Sequence, residues 1–223
     1  MSTQPTYLEI DVHSVDGLVS AFQQTGEDSV GKLLEQAQPG RIFLQPYLAI
    51  SSPRSLTVFP PARVVRVDLV MDYFPNWPFH NGVRDARELG EEEFRLCVTG
   101  TPEAPANAME LRLVYVEIEM TNGEQIYLEI EVRFREEHLT GVDFGMLLQN
   151  LLSAPSMHAR RLGGGVILIN PAHILRTQFY PAPPHPPLSA WSAGPISEER
   201  HFRRLPGSDI TVTTSESLYS RLS

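Results

Sequence analysis

Residues 114–134 read VYVEIEMTNGEQIYLEIEVRF. Val114, Val116, Ile118 and Met120 alternate with Tyr115, Glu117 and Glu119, a period of two that gives a strand one core face and one wet face. Thr121-Asn122-Gly123-Glu124 interrupts the alternation, which resumes from Ile126 to Phe134. Asn and Gly both tolerate the positive φ of a type I′ turn, so the stretch predicts an antiparallel hairpin. Glu117, Glu119, Glu129 and Glu131 then project into solvent, and exposed strand carboxylates lack the unequal burial that acid–base pairs need.

Working outward, Val142 to Leu152 predicts a short helix opened by Thr140 or Asp143, and it is expected to cover an open end of the sheet. Two strands follow, Val166 to Ile169 and Ile174 to Tyr180, joined by the turn Asn170-Pro171-Ala172-His173. The N-terminal part carries similar markers in the same order. Tyr7 to Val12 (YLEIDV) matches Tyr127 to Val132 (YLEIEV), Asp28 to Leu34 matches Asp143 to Gln149, and Thr57 to Val70 matches Ile167 to Tyr180 with Pro61/Pro171, Ala62/Ala172 and Arg66/Arg176 in step. The chain therefore reads as two copies of one module, residues 1–71 and 111–181. The expected class is mainly β (α+β): two tandem bent-sheet or half-open barrel modules, each with one short helix, packed together because each is small for independent stability.

Residues 72–110 join the copies. Phe74, Trp77 and Phe79 in FPNWPF supply large apolar area on a proline-stiffened segment, GVRDARELGEEEFRL reads as an amphipathic helix, and TGTPEAPANA reads as a loop. Residues 182–223 are proline-rich without durable periodicity and are expected to be disordered or an extended arm.

The hairpin of residues 114–134, the helix motif Asp143-Phe144-x-x-Leu147-Leu148-Gln149-Asn150 and the run Ile169-Asn170-Pro171-Ala172-His173-Ile174 resemble a group of small bacterial SH3-like or Sm-like β-barrel proteins. The resemblance covers the second copy and implies a small β-barrel fold. The first copy departs from it, with Phe59-Pro60-Pro61-Ala62-Arg63 at the turn.

Composition narrows the function. A formal charge of -9 gives no general attraction to phosphate backbones, so nucleic-acid binding is disfavoured. The single cysteine, Cys97, lies in an apolar run and is expected to be a buried structural thiol; it can form neither an internal disulfide nor a zinc cluster. The seven histidines show no H-x-x-x-H or H-x-H spacing, so no metal is expected. With no signal-peptide pattern and no long apolar run, a cytoplasmic, non-membrane location is expected. Nucleophile-elbow, phosphate-loop, dinucleotide and zincin motifs are absent from the sequence, and no cofactor is expected.

Recognition is what remains. Phe74, Trp77, Phe79, Trp191, Arg203 and Arg204 are the candidate partner-binding residues, and Arg160, Arg161 and His173 the candidate anion contacts beside Gly163-Gly164-Gly165. The reading is a non-enzymatic protein–protein interaction, adaptor or assembly module that binds another protein or a second copy of itself. Its alternatives are an Sm-like or SH3-like regulatory nucleic-acid-binding protein and a cryptic enzyme with a site between the copies.

Overall fold

The computed structural model describes residues 6–79, 82–99, 112–132, 141–182, 187 and 189–191, and residues 6–189 lie in one compact unit. The fold is mainly β. Strands β1 (Tyr7–Ser14) and β2 (Val19–Thr25) form a hairpin, followed by helix α1 (Glu27–Gln36), a hairpin of β3 (Leu48–Ser51) and β4 (Leu56–Phe59), a 3-10 turn (Pro61–Arg63) and β5 (Val64–Val70). Then come β6 (Val83–Leu89) and α2 (Glu91–Thr99). The later elements are β7 (Arg112–Met120), β8 (Gln125–Val132), α3 (Gly141–Leu152), β9 (Met157–Arg160), β10 (Val166–Ile169), a 3-10 turn (Pro171–His173) and β11 (Ile174–Tyr180).

Among the described residues, nine strands share one mixed sheet in the order β11-β7-β8-β6-β9-β10-β5-β1-β2, while β3 and β4 pair only with each other. β11 and β2 end the large sheet without meeting, so among the described residues no closed barrel forms. Of the alternatives expected, bent sheets or half-open barrels, the strands of both segments form one open, mixed sheet. β10 pairs antiparallel with β5, with Val166 opposite Leu69 and Leu168 opposite Val67, so one hydrogen-bonded ladder runs through both segments.

The two segments flanking β6 and α2 share element order and register. Ile10 faces Leu69 as Val116 faces Phe179, and Val12 faces Val67 as Ile118 faces Thr177. Each ladder shifts register at the same place, beside Ser14 and beside Met120. The hairpin turns agree too: Ser14 N–H donates to Leu18 O at 2.9 Å and Met120 N–H to Glu124 O at 2.9 Å, with Gly17 and Gly123 at φ of 80° and 85°. In this register the counterpart of β1 is β7, whereas the matching strings Tyr7–Val12 and Tyr127–Val132 lie on β1 and β8, the first and second strands of their hairpins.

Periodicity explains where the cores sit. Leu8, Ile10 and Val12 of β1 join Val67 and Leu69 of β5, Val30 and Leu34 of α1, and Val166 and Leu168 of β10 in a first core. The alternate residues of β10, Ile167 and Ile169, join Val116, Ile118, Leu128 and Ile130 in a second. A smaller cluster of Leu89, Phe94 and Tyr127 seats α2 on the sheet. β10 is therefore apolar on both faces because both are covered.

The predicted connector helix divides. Residues 83–89 are strand β6, and only α2 is helical. β6 pairs with β8 from Val83 opposite Val132 to Leu89 opposite Tyr127, satisfying an edge that would otherwise be open; tertiary pairing overrides the local pattern. β9 was not expected from periodicity and supplies the partner of β10. Phe134, the cap candidate Thr140, residues 100–108 of the predicted loop and residues 192–223 lie outside the described residues, as does the side chain of Asp143.

Candidate functional site

The turn Ser52-Pro53-Arg54-Ser55 closes the β3–β4 hairpin through Ser52 N–H to Ser55 O at 2.8 Å and Ser55 N–H to Ser52 Oγ at 3.1 Å. Leu48, Ile50 and Phe59 point inward onto the first core. Alternation then sends Leu56 and Val58 outward, 66% and 49% exposed, with Leu44 and Tyr47 also exposed just before the hairpin. In the β9–β10 hairpin the same strand positions carry Val166 and Leu168, both 0% exposed. The difference is a neighbour: β10 has β5 along its outer edge, and β4 has no second partner among the described residues. Exposed apolar side chains beside an unpaired backbone edge are what a strand-pairing partner would cover.

A buried ionic cluster sits where the two segments meet. Arg66 of β5 donates from Nε to Asp68 Oδ1 at 2.5 Å and from Nη2 to Asp68 Oδ2 at 2.7 Å. Its Nη1 donates to Glu124 Oε1 in the β7–β8 turn at 2.7 Å, and Nη2 lies 3.0 Å from Glu88 Oε1 of β6. Arg161 Nε adds a contact to Asp68 Oδ2 at 3.2 Å, and His13 lies 3.6 Å from Asp68 and 3.5 Å from Glu124. Burial acts to neutralise His13, Arg66, Asp68 and Glu124, yet the pairing wins. His13 is pushed up to about 9 by its hydrogen bonds and charge contacts with Asp68 and Glu124. Asp68 is held well below the usual carboxylate range by His13 and Arg66, and Glu124 is lowered by the same two cations. All three carboxylates face cations, so the cluster has the chemistry of a fastener between the segments.

The aromatic candidates of the connector are half-buried. Phe74 and Trp77 pack on the first core and Phe79 on the second. Phe79 stacks on His158 with ring centres 4.7 Å apart, Phe74 lies 6.0 Å from Phe79, and the Arg160 guanidinium sits over Phe74 at 4.2 Å. The structure thus brings Phe74, Trp77, Phe79 and Arg160 together. An open groove of about 640 Å³ separates Tyr73–Trp77 from α1, where Gly31, Lys32 and Glu35 line it.

The remaining candidates are scattered. Arg161 pairs with Asp68, while Arg160, beside Phe74, also pairs with Asp85 at 2.9 Å. His173 ends a 3-10 turn with Nδ1 3.3 Å from Thr121 Oγ1, and burial pushes it below its ordinary value. Trp191 is 97% exposed, and Arg203 and Arg204 lie outside the described residues. The glycine run turns β9 into β10; a Cβ on Gly165 would fall 1.9 Å from Leu69 O, so the loop needs glycine to approach β5. Cys97 is half-buried on α2.

Sequence reasoning missed His13, Asp68, Glu88, Glu124, Leu56 and Val58. The cluster had a signal in Val64-Val65-Arg66-Val67-Asp68-Leu69-Val70, two opposite charges inside an apolar strand. The hairpin had one in Leu56-Thr57-Val58-Phe59, a strand apolar on both faces with only one core to fill. No group of three or more metal-ligating side chains occurs among the described residues, and no helix there is long and apolar enough to cross a membrane. In comparisons with known proteins, the chain matches no family model, no curated protein and no solved structure.

Proposed function

We propose that the chain is a non-enzymatic protein-interaction and assembly module, built by tandem duplication of one ββαββ-turn-β unit, that recognises its partner through the outer face and free edge of the β3–β4 hairpin. One observation carries the reading: Leu56 and Val58 stand in water at the strand positions where Val166 and Leu168 are sealed. The two segments' common registers and turn hydrogen bonds support the duplication. Arg160 and Arg161, which a phosphate-binding reading would use, are already ion-paired.

The test is affinity purification of the tagged full chain from its native cells, beside the variant Leu56→Glu/Val58→Glu. We expect a protein bound by the native chain and lost from the variant, whose melting is unchanged because both positions are outward-facing. Identical eluates from the two chains, or nucleic acid bound equally by both, would remove the reading.

A further inference from the structure

Among the described residues, the two segments join by one strand pairing, β10 against β5. β4 occupies the same place in the first segment as β10 in the second, since each is the second strand of a hairpin and precedes a 3-10 turn: Leu48 faces Phe59 as Met157 faces Ile169. β11 likewise stands where β5 does, paired on one side with the first strand of its own segment. β5 and β10 are used on both sides. β4 and β11 are each paired on one side only among the described residues.

We infer that a second copy of this chain is the partner, added head to tail, with β4 of one copy antiparallel to β11 of the next and repeating the internal junction. This rests on β3–β4 being the recognition surface. Transferring the internal pairs gives the register: Val166 opposite Leu69 becomes Leu56 opposite Phe179, Ile167 opposite Asp68 becomes Thr57 opposite Gln178, and Leu168 opposite Val67 becomes Val58 opposite Thr177. Ile169 opposite Arg66 becomes Phe59 opposite Arg176.

The side chains suit that register. The most exposed residue of β4, Leu56, meets an aromatic ring, and cross-strand aromatic–aliphatic pairs are favourable. Gln178 stands where Asp68 does, so the new junction buries no carboxylate that would require a cluster of cations. Arg176, already 3.1 Å from Glu119, stands where Arg66 does, and the exposed Leu18 stands where Glu124 does, able to cover that pair with carbon. The pairing is heterologous, because β4 and β11 are different surfaces, and each added copy leaves one of each free.

Disulfide trapping tests both the partner and the register. Full-length chains carrying Cys97→Ser with either Val58→Cys or Thr177→Cys are mixed and oxidised; both sites are on edge strands outside the sealed cores, and melting before mixing verifies folding. A covalent dimer should form in the mixture and in neither chain alone, while Val58→Cys mixed with Leu175→Cys should give several-fold less. Light scattering of the native chain should give a mass that is a multiple of one chain and falls to one chain in Val58→Lys. A native chain monomeric at every concentration, or crosslinks of equal yield in each single variant alone, would overturn the inference. A monomer that still loses a protein partner on Leu56→Glu/Val58→Glu would sink self-pairing alone; a monomer that loses none would sink the recognition reading with it.

Discussion

Arg66 is the residue on which the junction turns. It is buried and shares its guanidinium among Asp68, Glu88 and Glu124, carboxylates from three elements. Arg66→Ala would leave Asp68 buried with fewer cations, and removing one partner of a buried ion pair costs about 3–5 kcal/mol. Urea unfolding of the variant should show a loss of that size, whereas Arg176→Ala, at an exposed pair, should lose no more than about 1 kcal/mol. His13 sets the alkaline limit. Its folded value is raised from 6.5 to about 9, so the stability it contributes is complete below 6.5 and drains away as pH rises toward 9. Urea midpoints measured across that window should fall for the native chain and stay flatter for His13→Gln; equal slopes would refute the role given to His13. On the acid side the signs reverse, because lowered Asp68 and Glu124 lose their contribution only as pH falls through their folded values.

Among the elements, the β9–β10 turn is the least forgiving. Gly165 takes φ of 88° and passes so close to Leu69 O that a methyl group has no room. Gly165→Ala should cost more than about 1 kcal/mol, read from the melting midpoint, while Gly123→Ala, with positive φ but open space around it, should cost less. Elements of this kind were unequally legible in sequence. β7 and β8 follow from alternation around an Asn-Gly turn, α3 from its cap and apolar pattern, and β10 and β11 from the apolar runs on either side of an Asn-Pro turn, all local signals. The first hairpin carries an equivalent signal in Asp16-Gly17, with Gly17 at φ of 80°. β6 was invisible because Val83-Arg84-Asp85-Ala86-Arg87-Glu88-Leu89 has too few apolar residues to alternate; its strand state comes from β8 beside it. The string YLEI, repeated in β1 and β8, shows how a short identity can link strands of unlike position, since a pleated half-buried surface selects the same residues wherever it occurs. The hairpin site was not legible, because the exposure of Leu56 and Val58 depends on β4 having one strand neighbour; Phe74, Trp77 and Phe79 were legible as large apolar groups, but the structure packs them on the two cores.

For the whole molecule, the large sheet runs through both segments. Two segments with matching registers merge because the hairpin β9–β10 serves both cores, one with Val166 and Leu168 and the other with Ile167 and Ile169. The same two-sided use is what the β3–β4 hairpin lacks, and the proposed assembly would supply it from outside the chain.

That shared hairpin also sets a timetable for synthesis. The first core is lined by residues from β1, α1 and β5, yet its wall is finished by residues 166 and 168, near the end of the described chain. N-terminal domains ordinarily fold while the rest is still being made, and contacts between sequence-distant strands come late because their loops must close first. A nascent chain here should hold β5 without one neighbour until β10 emerges, exposing Val67 and Leu69 for most of translation. A fragment of residues 1–99 should accordingly bind a hydrophobic dye and show weak amide protection in β5, and both should revert when a fragment containing residues 112–189 is added; strong protection in the lone fragment would contradict this order.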